Sequence, residues 1–198
     1  MKKLIMFAML FGLLSLSGIA QADPINVALT GVATQSSTWS GWPAENANDG
    51  NTNGDPYNFN RALAHTWTPN LGWWQVDLLS PYVIDHIVIW NRTDYDGLPA
   101  YEELQSRLSN FKVSVIDSNG EVVWSEIVLP PDYPNPSMDF YLPNIEGQIV
   151  KIERLSQDYL WLAEVQVYHP VPEPATMFLL GFGLIGLAGY GRRKFSKK

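Results

Sequence analysis

The sequence predicts an all-β fold, an antiparallel β-sandwich, and three observations carry that prediction. Short runs of β-branched and aromatic residues recur through the middle of the chain, at residues 73–78, 84–90, 111–116, 122–128, 138–142, 149–155 and 162–168. Each has the length of a single strand. Turn-forming residues separate them, and helical periodicity is nearly absent, so there are no helices to cover a parallel sheet.

The chain opens with Lys2 and Lys3 before an apolar run at residues 4–16, and Ala20-Gln21-Ala22 closes it with small residues placed for cleavage. This is the pattern of a secretory signal peptide, residues 1–22, and it is excluded from the fold. Residues 23–169 then make one domain, a length sufficient for a single core. Residues 30–72 are rich in Ser, Thr, Asn, Gly, Asp and Pro with little apolar periodicity. Loops this long in a compact domain are functional or disordered. Trp39, Trp42, Tyr57 and Phe59 argue for order, so the segment reads as an ordered loop system at one end of the sandwich, carrying His65.

Among the strands, Trp73 and Trp74 are adjacent and therefore point to opposite faces of a sheet. One is expected in the core and the other near the loops. His86 lies within 84–90 and reads as a surface-facing strand residue. Phe111, Val113 and Val115 alternate with Lys112 and Ser114, the two-residue period of a half-buried strand. Asn119-Gly120 falls between two such runs and predicts a tight hairpin turn, because both residues tolerate positive φ. Residues 99–108 are the only stretch with room for a turn or two of helix.

The C-terminal residues, 170–198, form a separate unit. Pro172-Glu173-Pro174 leads into an uncharged stretch rich in Leu, Phe and Gly, followed by Arg192-Arg193-Lys194 and Lys197-Lys198. As a helix, residues 175–191 reach about 25 Å, the lower limit for crossing a bilayer. The basic cluster stays cytoplasmic in such a topology and leaves the domain outside.

The chain has no cysteine, so an exported domain must be held by its core and hydrogen bonds, with or without a metal, and not by disulfides. The net charge of -7 understates the acidity of the domain. Lys2, Lys3 and the five basic residues of the tail leave only Arg61, Arg92, Arg107, Lys112, Lys151 and Arg154 in the middle, against nearly all of the 20 acidic residues. That balance argues against nucleic acid or an anionic membrane surface as the main partner. It suits a cation or a neutral glycan.

Four residues point to the second of these: His65, the segment Arg92-Thr93-Asp94, and Arg107, which opens Arg107-Leu108-Ser109. A neutral sugar offers hydroxyls and a ring oxygen, and binding it requires convergent donors that keep their protons. The arginine fork presents five N–H groups and stays charged at any working pH. An imidazole adds a further direction, and a carboxylate such as Asp94 can hold a guanidinium in place. Read without further context, the same residues are also compatible with ordinary surface loops.

The pattern resembles the F-type (fucose-binding) lectins, a branch of the discoidin or coagulation-factor type C group. The interval of 27 positions between His65 and Arg92 matches that family's spacing. The resemblance spans residues 25–168 and includes Asn26-Val27-Ala28-Leu29, Ala33-Thr34-Gln35-Ser36-Ser37, Asn48-Asp49-Gly50-Asn51, Trp73-Trp74-Gln75-Val76-Asp77-Leu78, Asn91-Arg92-Thr93-Asp94 and Leu162-Ala163-Glu164-Val165-Gln166-Val167. It implies a discoidin-type jelly roll and a sugar site built from His65, Arg92 and Arg107, with Asp94 orienting the fork. Members of the family carry two adjacent cysteines directly after the Asp, whose disulfide packs against the sugar. Tyr95-Asp96 stand there in this chain, followed by an insertion before Arg107, so Tyr95 or Tyr101 is the expected replacement stacking face.

Asn46-Ala47-Asn48-Asp49-Gly50-Asn51 packs oxygen donors and a glycine into six residues. Such a composition suits a calcium ion, which takes six to eight oxygens, and equally suits a metal-free Asx-rich turn. The resemblance implies calcium, with ligands from Asn46, Asp49, Asn51, the carbonyl of Ala62, Ala163 and Glu164, in a structural role.

The tail resembles the PEP-CTERM sorting signal of Gram-negative bacteria. That resemblance implies recognition by an exosortase, transient anchoring in the inner membrane, removal of the tail, and delivery to the cell surface or a polysaccharide matrix. A permanent C-terminal anchor predicts the same topology. The chain thus reads as an exported, non-catalytic carbohydrate-binding module for fucose, another glycan or exopolysaccharide. The alternative is a matrix or adhesion protein that meets a protein or lipid surface through Trp39, Trp42 or Leu98. No acidic pair or Ser/His/Asp set falls in a recognisable catalytic motif.

Overall fold

The computed structural model describes residues 24–56, 63–67, 70–94, 104–170 and 181–183. Residues Pro24–Pro170 form one compact unit. The expected signal peptide lies outside the described residues. Of the tail, Pro170 and residues 181–183 are described, the latter as helix. No helix among the described residues is long and apolar enough to cross a membrane.

The compact unit is nearly all β, as the strand pattern predicts. Its strands are β1 (Ile25–Asn26), β2 (Val32–Gln35), β3 (Ala64–His65), β4 (Trp73–Trp90), β5 (Phe111–Ile116), β6 (Val122–Val128), β7 (Ser137–Arg154), β8 (Trp161–Leu162) and β9 (Glu164–His169). All pairings are antiparallel. Two 3-10 turns, Val27–Thr30 and Ala44–Ala47, complete the regular structure among the described residues of this unit outside residues 104–105.

The two longest strands make the sandwich. The first half of β4 pairs with β2 on one side and the second half of β7 on the other. Its second half pairs with the first half of β7 and with β9. The register slips between Asp77 and Tyr82, and again between Ile84 and His86. Leu79 adopts a φ of 67°, with its N–H tied to Asp77 Oδ1 at 2.8 Å. These irregularities bend one strand across two layers, the role bulges play at sheet corners. Gly147, opposite Tyr82, sits at the matching bend of β7, where a Cβ would lie 2.2 Å from Val115 Cγ1. No larger residue fits that approach.

The core lies between the layers, filled by Trp74, Val76 and Leu78, Ile87 and Ile89, Phe111, Val113 and Val115, Phe140, Val150, Ile152, Val165 and Val167. Alternate residues contribute along β5, β9 and the first half of β4, as strand geometry requires. Trp74 is the inward member of the tryptophan pair, and its indole N–H donates to the carbonyl of Ala44 at 2.9 Å. Trp73 is half-buried on the other face, with Lys151 over its ring. His86 faces outward, 2.8 Å from Asp139 and stacked on Tyr141. The 119–120 turn forms as expected, with Gly120 at φ 86°; Asp117 Oδ1 accepts the N–H groups of Asn119 and Glu121.

Two expectations need correction. Runs 73–78 and 84–90 are one continuous strand, as are 138–142 and 149–155, because bulges bend the chain without ending its pairing. The segment at residues 30–72 is not all loop. It contributes β2 to the main sheet and β3 to a two-stranded sheet with β8.

Candidate functional site

His65 and Trp161 are direct cross-strand partners in the β3–β8 pair. Side chains so paired stand within contact of each other, and the imidazole and indole centroids are 3.5 Å apart. The His65 backbone is fully engaged: its N–H donates to Trp42 O, and its carbonyl accepts from Trp39 N–H and Gln35 Nε2. Its ring is not. The residue is 2 % exposed, yet neither ring nitrogen has a hydrogen-bond partner among the described residues. Burial, reinforced by the nearby Arg92 charge, pushes its pKa down to about 4. The imidazole is therefore neutral at physiological pH, with one donor and one acceptor unused.

Arg92 comes from the segment that follows β4. Asn91 anchors this segment: its N–H donates to Pro136 O, and its Nδ2 donates to the carbonyls of Gln105 and Pro134. Gly54 closes over it, accepting the Thr93 N–H at 2.9 Å. A Cβ at Gly54 would lie 2.3 Å from Asn91 O, so only glycine permits that approach. Asp94 grips the Arg92 fork through Nε at 2.6 Å and Nη2 at 2.5 Å, both residues being almost wholly buried. The orienting role read for Asp94 is thus present in the geometry. Arg92 Cζ lies 4.2 Å from the centroid of the Trp161 ring, a stacked cation-π arrangement.

His65, Arg92 and Asp94 are therefore brought together around Trp161. Arg107 is exposed, and its recorded contact is through its carbonyl, which accepts from Arg154 Nη1. Arg154 also donates to Ser109 O at 2.8 Å and so fixes the start of β5. Tyr95, Tyr101 and Leu98 lie outside the described residues.

The sequence reading missed the aromatic shell around His65. Tyr159 lies 5.4 Å away by ring centroids, Trp39 5.2 Å and Trp42 6.4 Å. Trp67 lies 4.3 Å from Trp39 with the rings tilted, and stays exposed. The signal for it was the density of aromatics at 39–42, 67 and 159–161; what placed them together was the short β3–β8 pair, which has no periodicity to detect.

Of the residues expected to bind metal, Asp49 and Glu164 meet although far apart in sequence. Glu164 is fully buried; its Oε1 accepts the Gly50 N–H at 3.1 Å and its Oε2 has no partner among the described residues. Burial, with the Asp49 charge adding to it, pushes its pKa up to about 7. Asp49 Oδ1 accepts the Asn51 N–H, and Asn51 Oδ1 accepts that of Asn53, so this loop is also a chain of Asx turns. Asn46 Nδ2 donates to Leu63 O, and the Ala163 N–H donates to Trp90 O. Ala62 lies outside the described residues. No group of three or more His, Cys, Asp or Glu side chains able to hold a metal occurs among the described residues.

Comparison with known proteins extends these observations. A family model described as a NedA-like, galactose-binding domain matches residues 46–152, and a PEP-CTERM protein-sorting motif matches residues 170–194. The chain is similar to Fucolectin-6 of Anguilla japonica, 29% identical over 185 residues that cover 86% of this chain and 94% of that protein. Fucolectin-1 of the same organism is 30% identical over 180 residues, 83% of this chain and 95% of its own length. Among solved structures, a fucose binding module of Streptococcus pneumoniae superposes with a TM-score of 0.65 at 30% identity, covering 76% of this chain and 99% of that one. The discoidin-type jelly roll implied by the sequence motifs is the fold observed.

Proposed function

The chain belongs to the NedA-like, galactose-binding domain family, and from that membership we propose that it is a non-catalytic carbohydrate-binding module whose sugar site is centred on His65 and Arg92. The observation that carries the proposal is a buried, neutral imidazole whose nitrogens have no partner among the described residues, beside a guanidinium locked by Asp94. Most buried histidines packed for stability alone find a partner. Saccharide hydroxyls both donate and accept, so they match what this imidazole lacks. Fucose or a related glycan is the proposed ligand, in line with the fucolectins and the fucose binding module that the chain resembles. Arg107 and Tyr95 complete the proposed site from the segment that follows Asp94.

Calcium is the proposed structural ion. The donor set is consistent with it: Glu164 holds a buried carboxylate oxygen without a partner among the described residues, and the Asp49 charge lies near enough to act on it. A hard cation there satisfies both, with oxygens of Asn46, Asn51, Ala62 and Ala163 completing the shell. It braces the 46–56 loop, and through Gly54 the Arg92 segment, and performs no chemistry.

The PEP-CTERM motif at residues 170–194 supports export and sorting. We place the mature domain at the cell surface or in an exopolysaccharide matrix of a Gram-negative bacterium, after exosortase recognises the tail and following transient inner-membrane anchoring. Intact mass of protein recovered from the surface tests this: loss of residues 175–198 supports sorting, and recovery of only the full-length tail supports a permanent anchor.

A second reading, contact with a lipid or protein surface, is favoured by the exposed Trp39, Trp67 and Leu71. A glycan array probed with and without calcium, using wild type and His65→Ala, separates the two. Binding to glycan that His65→Ala removes supports the sugar site. Binding to vesicles that His65→Ala leaves intact supports the surface reading.

A further inference from the structure

The position of Trp161 bears directly on how a ligand reaches the site. The imidazole of His65 covers the centre of the indole, at 3.5 Å between centroids and a tilt of 37°. Arg92 Cζ lies 4.2 Å from the centroid of the same ring. The indole is thus packed against both groups at once, a wedge shared between them. It contributes to their burial, 2 % exposed for His65 and 4 % for Arg92.

The wedge is badly matched to its surroundings. Trp161 Nε1 is itself buried without a hydrogen-bond partner among the described residues, as are both nitrogens of His65. A well-packed core leaves few such groups, because each carries an uncompensated loss of hydration. Three in one contact mark a place where hydroxyl groups would find donors and acceptors waiting. Trp161 is half-buried and also meets Trp42 edge-on at 6.1 Å between ring centroids, so a ligand that displaces the indole must repay these contacts.

We propose that Trp161 sets ligand access and selectivity at this site: its indole covers both His65 and Arg92, and a saccharide binds by displacing it and pairing its hydroxyls with both residues. The inference rests on the carbohydrate reading above and adds a step to it. Apparent affinity is then the affinity of the open site reduced by the fraction of molecules that are open. Only a ligand that offers hydroxyls to both uncovered residues repays the displacement.

The test uses the full chain as wild type, Trp161→Ala, His65→Ala and the double variant, with immobilised fucosylated and galactosylated oligosaccharides as probes. Trp161→Ala is expected to bind at least about tenfold tighter than wild type, the gain of a site no longer closed, and the double variant is expected to lose that binding. Wild-type association should approach a ceiling as saccharide concentration rises, because opening limits it, whereas Trp161→Ala should show a rate that rises linearly. Should Trp161→Ala bind no tighter than wild type while His65→Ala still abolishes binding, the indole is a contact or packing residue and the wedge proposal is wrong. If His65→Ala retains full binding in both backgrounds, or no variant binds any probe, the carbohydrate reading of the pocket fails, and this inference with it. If Trp161→Ala does not fold, wild-type kinetics decide: a linear rate to the highest concentration overturns the proposal.

Discussion

Asp94 holds Arg92 by two contacts from one carboxylate to one guanidinium, and both side chains are almost completely withdrawn from water. A charge pair that deep is costly to break from one side. Asp94→Ala leaves the guanidinium buried and unpaired, which costs about 3–5 kcal/mol. Removing both partners costs less than the sum of the single changes. Chemical denaturation of Asp94→Ala, Arg92→Ala and the double variant checks this, and simple additivity would show that the two do not act as a unit.

Arg92→Lys is expected to bind glycan almost as poorly as Arg92→Ala. Lysine keeps the charge but offers no planar fork for Asp94 to hold or for a saccharide to pair with. Titration of an immobilised fucosylated oligosaccharide distinguishes the cases; lysine restoring wild-type affinity would mean that charge alone matters at this position.

Glu164 and Gly50 join the last strand to the first loop system, and one oxygen of the carboxylate has no partner among the described residues. In chelator, Glu164→Gln is expected to be at least as stable as wild type at pH 8, because it removes a buried charge while keeping an acceptor for the Gly50 N–H. In excess calcium the wild type should gain stability, roughly 2.7 kcal/mol at a hundredfold excess over the dissociation constant, and Glu164→Gln should gain none. Asp49→Ala should lose the calcium response as well. Identical melting curves of wild type in chelator and in calcium would remove the calcium proposal.

The His65 ring predicts a pH dependence with a definite sign. Its pKa falls from 6.5 in the unfolded chain to about 4 in the folded one, so between these values the unfolded state binds the extra proton. Stability is therefore lost as pH falls from about 6.5 towards 4, by an amount on the order of 3 kcal/mol. His65→Gln should flatten that part of the profile relative to wild type at constant calcium. An unchanged slope would mean that other groups carry it.

Much of the fold was legible because strand burial repeats every two residues: Phe111, Val113 and Val115 could be placed inward from their alternation alone, and the structure buries all three. Leu79 and Gly147 were not legible as bends, since nothing in the local pattern distinguishes a strand that ends from one that bulges and continues. The partnership of His65 and Arg92 followed from residue chemistry and a spacing shared with a known family. Trp161 escaped notice because its importance depends on the two-residue pairing of β3 with β8, 96 positions apart, and long-range register leaves no trace in a single strand of that length.

The account stands most directly on binding of fucosylated and galactosylated glycans by the full chain, compared among wild type, His65→Ala, Arg92→Ala and Arg107→Ala. Loss of one charge-assisted hydrogen bond costs about 1.5–3 kcal/mol, roughly ten- to a hundredfold in affinity. His65→Ala and Arg92→Ala are predicted to lose at least that much, and Arg107→Ala to do so if the exposed side chain turns into the occupied site. Full binding retained by all three variants would contradict the placement of the sugar site, whatever the fold.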